Sequence, residues 1–347
     1  MQGDGDQGTV GGAPTQAVQM LERLIDDGHF KGAQGRLIRE HLDRNPTDAA
    51  RTWLPENLKP KYLGQERAEE YTSPDQEIGF YLRFFIAATL PHSRPAGLEF
   101  TRQAGRAKVS LHMPASLSQD LSIGLPFGPL PRLILMWMAR EVRRSGSATL
   151  QMGSSKSSFL RELGITPSTG KRGSLKNLEY QLMSLVSTYY TAWWRTGDDQ
   201  NGGVQIQNAT LSENKQLWWD REAHGKRRFD AVIELTPAFF TEMVDRSFPV
   251  DLNAVRELSS SSLAIDIYAW LTYRMATLRR PLQLGWTEIY SQFGSGEYSL
   301  SNMHRFKKRW IEALKEVLRV YSSARIQESP TGVQLLPSRS SVLPKRN

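Results

Sequence analysis

An order of hydrophobic patterns that occurs twice along the chain constrains the fold more than any other feature. In each occurrence a long helical pattern is followed by a short strand, a short helix, a turn, a second long helix and alternating strand patterns. The two occurrences begin near residues 130 and 262. This is the element order of a winged helix-turn-helix unit. The sequence therefore predicts an α+β protein with two tandem winged helix-turn-helix domains and a short helical N-terminal extension.

The predicted elements can be placed on the chain from their periodicity. The first occurrence comprises helices at 130–144, 155–163 and 174–190 and strands at 149–152, 187–195, 204–217 and 229–235. The second comprises helices at 262–278, 287–293 and 300–320 and strands at 282–286, 324–327 and 333–336. Ahead of the first occurrence, a helix is predicted at 80–90 and a hairpin at 98–113 with Gly105 in its turn.

These elements divide the chain into four predicted parts. Residues 1–76 form an N-terminal extension that is partly disordered, because its first 14 residues are rich in Gly and prolines interrupt its helical patterns. The first winged-helix domain covers residues 77–248 and the second covers residues 249–338. A basic tail, 339–347, ends the chain.

Composition excludes several classes of protein. The chain has no Cys, which excludes disulfide scaffolds, thiolate catalysis and the commonest structural zinc sites. The longest apolar run, 133–139, is far shorter than the ~20 residues that cross a bilayer. The first residues carry Gly and acid where a secretory signal would carry basic and apolar residues. We expect a soluble, cytoplasmic protein without membrane contact.

Basic residues are concentrated in two segments. The net charge is +8, but residues 300–347 alone hold ten Lys and Arg against three Asp and Glu, and residues 130–190 hold nine against three. Each segment contains one of the second long helices of the repeated pattern. Two separated basic segments suggest two places where a polyanion binds, although basic residues can also serve only to solubilise exposed helices.

The helix at 300–320 is the stronger candidate for a recognition helix. On a helical wheel its apolar residues form one stripe, and Lys307 falls within that stripe. The opposite, polar face supplies the candidate DNA contacts, namely Ser301, Asn302, Arg305, Lys308, Arg309 and Lys315. Arg can bind a guanine edge, Asn can bind adenine, and Lys more often contacts phosphate. The alternative is an ordinary solvated face, which Glu312 and Glu316 favour.

The helix that begins at Ser174 is the weaker candidate. Its predicted buried face includes Leu175 and Tyr189, whereas Ser184 is placed on the exposed face. The candidate DNA contacts on this helix and the preceding turn are Lys171, Arg172, Ser174, Lys176, Asn177 and Tyr180. This face is less basic than the other, so contact with the DNA backbone is a better prediction than base recognition.

The sequence contains no complete motif for catalysis. The segment from Gly164 to Lys171 resembles a phosphate-binding loop, but it has one residue too many between its glycines, and Arg172 replaces the magnesium-binding hydroxyl residue. The six His residues show no metal-ligand spacing. We therefore expect no catalytic residues, no metal and no cofactor.

Five segments resemble plasmid-encoded RepA replication initiators, a family similar to the TrfA-type initiators. They are Leu90-Pro-His92, Gly124-Leu-Pro-Phe-Gly-Pro-Leu-Pro-Arg-Leu133, Phe159-Leu-Arg-Glu-Leu-Gly164, Val250-Asp-Leu-Asn-Ala-Val-Arg-Glu-Leu258 and Ala264-Ile-Asp-Ile-Tyr-Ala-Trp-Leu271. The resemblance spans about residues 77–337. Within it, the segment from Ala264 to Leu271 is expected to form core, with Asp266 holding a nearby Arg.

The resemblance implies a tandem winged-helix initiator. Such proteins bind repeated sites (iterons) in duplex DNA at a plasmid origin, help to open AT-rich DNA, and recruit the host initiator and the replicative helicase. Many also repress their own gene as homodimers. Two alternatives use the same fold without initiating replication: a transcriptional repressor, and a module whose winged helices contact other proteins.

Overall fold

The computed structural model describes residues 16–30, 32–44, 46–55, 58, 76–196, 203–223, 226–294 and 300–342. Within this part of the chain the fold mixes helices and sheets, as predicted. Among these residues no helix combines the length and the apolar character that crossing a bilayer requires.

The N-terminal helices pack on one another around their own small core. They are α1 (Gln16–Asp26), α2 (Ala33–Arg44) and α3 (Pro46–Trp53). Leu21 and Ile38 are fully buried in this core, which is separate from the main one. The helical extension is therefore present, whereas the disorder predicted for its first 14 residues concerns residues outside the described ranges.

The segment predicted as a helix at 80–90 begins as a strand instead. Strand β1 (Ile78–Leu82) pairs antiparallel with β9 (Ser247–Asp251), and only then follows the short helix α4 (Arg83–Ala87). Phe80, Tyr81 and Leu82 are all buried, so the strand does not alternate between polar and apolar residues. A short apolar run of this kind cannot be distinguished from a buried helix by periodicity.

The predicted hairpin is present. Strands β2 (Glu99–Ala104) and β3 (Ala107–His112) pair around a turn in which Gly105 has a φ of 55°. Val109 and Leu111 are buried on one face of the hairpin, in agreement with the alternation. Two later strands, β5 (Tyr189–Thr196) and β6 (Gly203–Thr210), complete a sheet of order β2-β3-β5-β6.

The first occurrence of the repeated pattern forms the elements expected from it. After the short helix α5 (Ala115–Leu121) come α6 (Pro129–Ser145), β4 (Thr149–Gln151), α7 (Lys156–Glu162) and α8 (Ser174–Ser187), and later β7 (Ser212–Ala223) and β8 (Lys226–Leu235). Their strands make a sheet of order β4-β8-β7. Gly146, with a φ of 66°, ends α6 one residue after Ser145. We call this set of elements the first repeat.

Three details of the first repeat differ from the prediction. The single strand expected at 204–217 is two strands, β6 and β7, which belong to different sheets and are separated at Leu211. Tyr189, expected on the buried face of α8, starts β5 and is 52% exposed. Ser184, expected to be exposed, is buried, and Leu175 is only half-buried. Helical periodicity misplaced Tyr189 because α8 ends at Ser187, two residues before it.

The second occurrence follows α9 (Pro237–Asp245), β9 and α10 (Leu252–Glu257). It consists of α11 (Ser262–Thr277), β10 (Leu282–Gly285), α12 (Trp286–Phe293), α13 (Leu300–Val320), β11 (Arg325–Ser329) and β12 (Gly332–Leu336). Its sheet has the order β10-β12-β11, with the last strand in the middle as in the first repeat. The N-cap of α12 is Gly285, whose N–H donates to Glu288 Oε2 at 2.7 Å, so the helix begins one residue before the predicted 287. We call this set the second repeat.

The two repeats share one hydrophobic core. Strand β9, which contains the predicted boundary at 248/249, pairs with β1, and buried residues of both repeats belong to a single cluster. A half-buried ion-pair network joins the same region, because Glu77 binds both Arg140 of α6 and Arg256 of α10. The relative position of α8 and α13 is therefore fixed by packing.

Candidate nucleic-acid interface

Helix α13 buries one face and exposes the other, as the helical wheel predicts. The buried stripe consists of Met303, Phe306, Trp310, Ala313, Leu314 and Val317. Trp310 is fully buried, with its ring centroid 5.7 Å from that of Trp286. Because this stripe is held by aromatic contacts with α12, the rotation of α13 about its own axis is fixed.

The predicted DNA contacts of α13 lie on the opposite face. The exposed ones are Ser301, Arg305, Lys308, Arg309 and Lys315, and Asn302 at the edge is half-buried. Within the described part of the chain, Lys308, Arg309 and Lys315 have no ion pair with any acidic side chain. Glu312 and Glu316 share the exposed surface but do not neutralise these three cations. The face keeps an excess of positive charge.

Asn302 and Arg305 act as a pair. Arg305 Nη2 donates to Asn302 Oδ1 at 3.0 Å, across one turn of the helix. The contact orients the guanidinium on the exposed face. It also occupies the amide oxygen of Asn302, although adenine recognition by Asn uses both the oxygen and the nitrogen of the amide. The contact uses one of the two acceptor positions of that oxygen.

The place of Lys307 in the apolar stripe has a physical explanation. Its ammonium group lies 5.2 Å from the centroid of the Trp286 ring, in a cation–π contact. The side chain is half-buried there. Lys307 therefore packs against α12 and does not extend into solvent with Lys308.

The N-terminal half of α13 lines a cleft of about 220 Å³ together with α11, α12 and the loop that contains His92. We call it the α13 cleft; its polar lining residues are His92, Ser93, Tyr290, Asn302, Arg305 and Arg309. Burial lowers the pKa of His92 well below 6.5, and the charge of Arg132 lowers it further. The imidazole is therefore neutral at pH 7, and the positive charge of the cleft comes from Arg305 and Arg309.

The polar face of α8 lies along a larger groove. The groove has a volume of about 900 Å³, and we call it the α8 groove. Of the residues predicted here, Lys171, Arg172, Lys176, Asn177 and Tyr180 line it. It also contains Arg94, Leu121 and Phe127, which belong to segments ahead of α6 and could not be assigned to it from helical periodicity. Glu179, its acidic residue, is ion-paired with Lys156.

Two of the predicted α8 residues have structural contacts of their own. Ser174 Oγ donates to the carbonyl of Thr166 at 3.0 Å and accepts from the N–H of Ser168 at 2.8 Å, so it organises the turn before the helix. Tyr180 stacks edge-on against Phe127, with 6.0 Å between ring centroids, and carries the guanidinium of Arg94 at 5.2 Å from its own centroid. Ser174 is therefore the weakest of the six candidates for direct DNA contact.

The Arg that was predicted to lie beside Asp266 is Arg132 in the structure. Both side chains are fully buried, and Arg132 also donates to the carbonyl oxygens of Leu90 and Gly128 at 2.7 Å. Burial alone would lower the pKa of Arg132, but the carboxylate of Asp266 reverses this effect and raises it. Three of the RepA-like segments, those containing Leu90, Arg132 and Asp266, thus meet at one buried site.

Among the residues that the structure describes, no comparable site for metal chemistry is found. Across the described ranges, no three His, Cys, Asp or Glu side chains lie close enough together to hold a metal ion. The glycine-containing segment from Gly164 to Lys171 lies between α7 and α8, so no strand precedes it. The side chains that line the α13 cleft and the α8 groove include cations, amides, aromatic rings and the carboxylate of Glu179.

Comparison with known proteins confirms the family resemblance over the middle of the chain. The family model for plasmid-encoded RepA proteins matches residues 125–286. This range includes α8, the site of Arg132 and Asp266, and the RepA-like segments from residue 159 onward, but it ends before α13. No curated protein matches the chain.

Two solved structures of RctB domains 2 and 3 are similar to the chain in overall shape. One, a selenomethionine derivative, has a TM-score of 0.46 and 11% sequence identity and covers 74% of this chain and 95% of the other. The second, of RctB residues 155–483, has a TM-score of 0.42 and 12% identity and covers 72% of this chain and 94% of the other.

Proposed function

We propose that this chain, whose residues 125–286 match the plasmid-encoded RepA family, is a plasmid replication initiator that binds repeated sites in duplex DNA at the origin. The family match supports the initiator role. The observation that carries DNA binding is the exposed basic face of α13, whose cations Lys308, Arg309 and Lys315 have no acidic partner within the described chain.

The proposal includes a tandem winged-helix architecture. In each repeat a helix, a strand and two helices precede a β-ribbon, and the last strand lies between the other two in the sheet. By this assignment α8 and α13 are the recognition helices. A recognition helix enters the major groove, which is wide enough to admit an α-helix. The buried stripe of α13 would then pack on its domain while the basic face meets the DNA.

We assign different roles to the residues of α13. Arg305 and Arg309 are placed to bind guanine edges, for which the guanidinium supplies two parallel donors. Lys308 and Lys315 are assigned to phosphates, as point charges. Ser301 and Asn302, near the start of the helix, lie where a recognition helix meets base edges.

The first repeat would hold the DNA backbone. Lys171, Arg172 and Lys176 are exposed and have no acidic partner within the described residues, which supports phosphate contact. Asn177 and Tyr180 add donors on the same face. Ser174 would act indirectly, since its hydroxyl holds the turn that carries Lys171 and Arg172.

The rest of the proposal follows from the family resemblance. It comprises origin opening, contact with the host initiator and the replicative helicase, homodimerisation, and action in the cytoplasm. In this scheme the chain binds and reorganises DNA without catalysing a reaction. The helices α1 to α3 have a core of their own and could carry a separate contact.

The decisive experiment is a fluorescence-anisotropy titration with duplexes tiled across the DNA that flanks the gene of this protein, at two salt concentrations. Tight binding to a fragment with direct repeats, well above binding to random DNA, is the expected result. Tight binding to a fragment with a single palindrome over the promoter would indicate a repressor instead. If no salt-dependent DNA binding occurs at physiological ionic strength, the winged helices contact proteins and the proposal is wrong.

A further inference from the structure

The α13 cleft and the α8 groove meet at two consecutive residues. Ser93 lines the α13 cleft and Arg94 lines the α8 groove. Consecutive Cα atoms are about 3.8 Å apart, so the two concavities adjoin along the chain. Neighbouring residues of one loop therefore line both concavities, although the sequence presents the two basic faces as separate segments.

The loop at this junction, residues 90–94, is held from both repeats. On one side Arg132 donates to the carbonyl of Leu90 at 2.7 Å, and the N–H of Gly128 donates to that of Pro91 at 3.1 Å. On the other side Ser262, at the start of α11, lies 3.3 Å from His92 Nδ1 through its Oγ. Because these contacts fix the loop, its exposed end is preorganised for binding.

Arg94 is the cation that this loop presents. It is exposed, it has no ion pair within the described residues, and its guanidinium lies over the ring of Tyr180. A guanidinium stacked on an aromatic face keeps its N–H edge available for an anion. Lys171, Arg172 and Lys176 line the same groove, whereas Glu179 is neutralised by Lys156. The local charge thus selects an anionic ligand.

We infer that residues 90–94 form a third DNA-contacting element between the two recognition helices, with Arg94 binding a backbone phosphate. This inference rests on the proposed function. It adds to that function a single backbone path, along which the phosphate bound by Arg94 lies between those bound by the first repeat and those next to Arg309. The loop fixes the spacing between the two recognition sites because both repeats hold it.

The test compares Arg94→Gln with Arg94→Lys on the duplex that the wild-type protein selects from a random-sequence pool. Losing one phosphate contact makes the slope of log Kobs against log salt less negative by about 0.9, which corresponds to about eightfold weaker binding at 0.1 M salt. Arg94→Lys retains the charge and should retain the slope. Arg94→Gln also loses the cation–π contact with Tyr180, so thermal unfolding is measured to confirm that both variants remain folded at the assay temperature.

Arg279→Gln is the matched control. Arg279 is exposed and follows α11, a helix of 16 residues. It therefore lies about 24 Å along the helix axis from the Ser262 end that contacts the loop. Duplex binding by Arg279→Gln should equal that of the wild type at every salt concentration.

A series of duplexes with one neutral methylphosphonate at successive positions then locates the contact. Arg94→Gln should become insensitive to a position that lies between the positions to which Lys171→Gln and Lys308→Gln become insensitive. An insensitive position outside that interval overturns the inference. Wild-type affinity and salt slope in Arg94→Gln would also overturn the inference. That result is expected if the groove binds an acidic peptide, and it leaves the proposed function intact. If the wild-type protein selects no duplex at all, it is the proposed function that fails.

Discussion

Arg132 and Asp266 form a two-point contact between α6 and α11, with Nε 2.8 Å from Oδ1 and Nη2 2.6 Å from Oδ2. Neither side chain is exposed to solvent. The other donors of Arg132 reach carbonyl oxygens of Leu90, Pro91 and Gly128, so every N–H of the guanidinium has an acceptor. The contact joins the two repeats and holds the loop between their recognition faces.

Replacing Asp266 with Asn should destabilise the protein by about 3–5 kcal/mol, because it leaves the charge of Arg132 buried without its counter-ion. Urea denaturation followed by circular dichroism measures the loss. The double variant Arg132→Met with Asp266→Leu is the control, and it should lose clearly less because it removes both charges together. A loss below ~1 kcal/mol for Asp266→Asn would show that the pair is not needed.

Replacing Arg305 with Ala should weaken binding to the preferred duplex by ~1–3 kcal/mol and relax the sequence preference, if Arg305 binds a base. Competition titrations with single-base variants of the site measure both effects. Equal loss on all sequences would refute base recognition.

Replacing Lys308 with Met should weaken binding to specific and random DNA alike and flatten the salt slope by ~1, because a phosphate contact carries no sequence information. The neighbouring change Lys307→Met is the matched control. Its ammonium group stacks on Trp286, so the salt slope should stay unchanged while stability falls by about 0.5–1 kcal/mol. The assignment is wrong if the two variants show the same slope.

Glu242 should make stability depend on pH. Burial raises the pKa of its carboxyl from 4.5 to about 7, against the opposing charges of Arg246 and Arg83 and with a small contribution from Asp245. The folded state therefore binds this proton more tightly than the unfolded state. The resulting stabilisation is complete below about pH 4.5 and is lost as the pH rises through 7, by an amount on the order of 3 kcal/mol.

Urea denaturation between pH 4.5 and 8 tests this dependence. Glu242→Gln keeps the shape of the side chain without the titrating proton, so the difference in unfolding free energy between the two proteins isolates the carboxyl. That difference should grow in favour of the variant as the pH rises through 7. A constant difference across this range would contradict the raised pKa.

The spacing of apolar residues predicted those features of the fold that depend on neighbouring residues along the chain. The element order of both repeats, the stripe and polar face of α13, and the core role of the segment around Asp266 all follow from the spacing of apolar residues. Strand β1 was misassigned because a strand buried on both faces has no alternation, and its partner β9 lies far along the chain. That Asp266 would hold an Arg was predictable from a buried carboxylate, whereas the identity of Arg132 was not.

Some residues of the candidate site could be predicted from the sequence and others could not. Residues of α8 and α13 could be chosen from helical wheels, and the structure exposes most of them. His92, Ser93 and Arg94 could not be placed there, because only tertiary packing brings their loop between the two helices. The one signal in the sequence was the RepA-like segment Leu90-Pro-His92, which marks the loop without indicating its place.

The pairing of β1 with β9 also sets an order of events during synthesis. Phe80, Tyr81 and Leu82 are buried in the finished protein, yet the strand that pairs with theirs begins only at Ser247. At ~5–20 residues per second, β1 waits on the order of ten to thirty seconds on the ribosome before β9 is made. During that interval the nascent chain carries an apolar strand without its partner, so we expect β1 to be open to chaperone binding until β9 emerges.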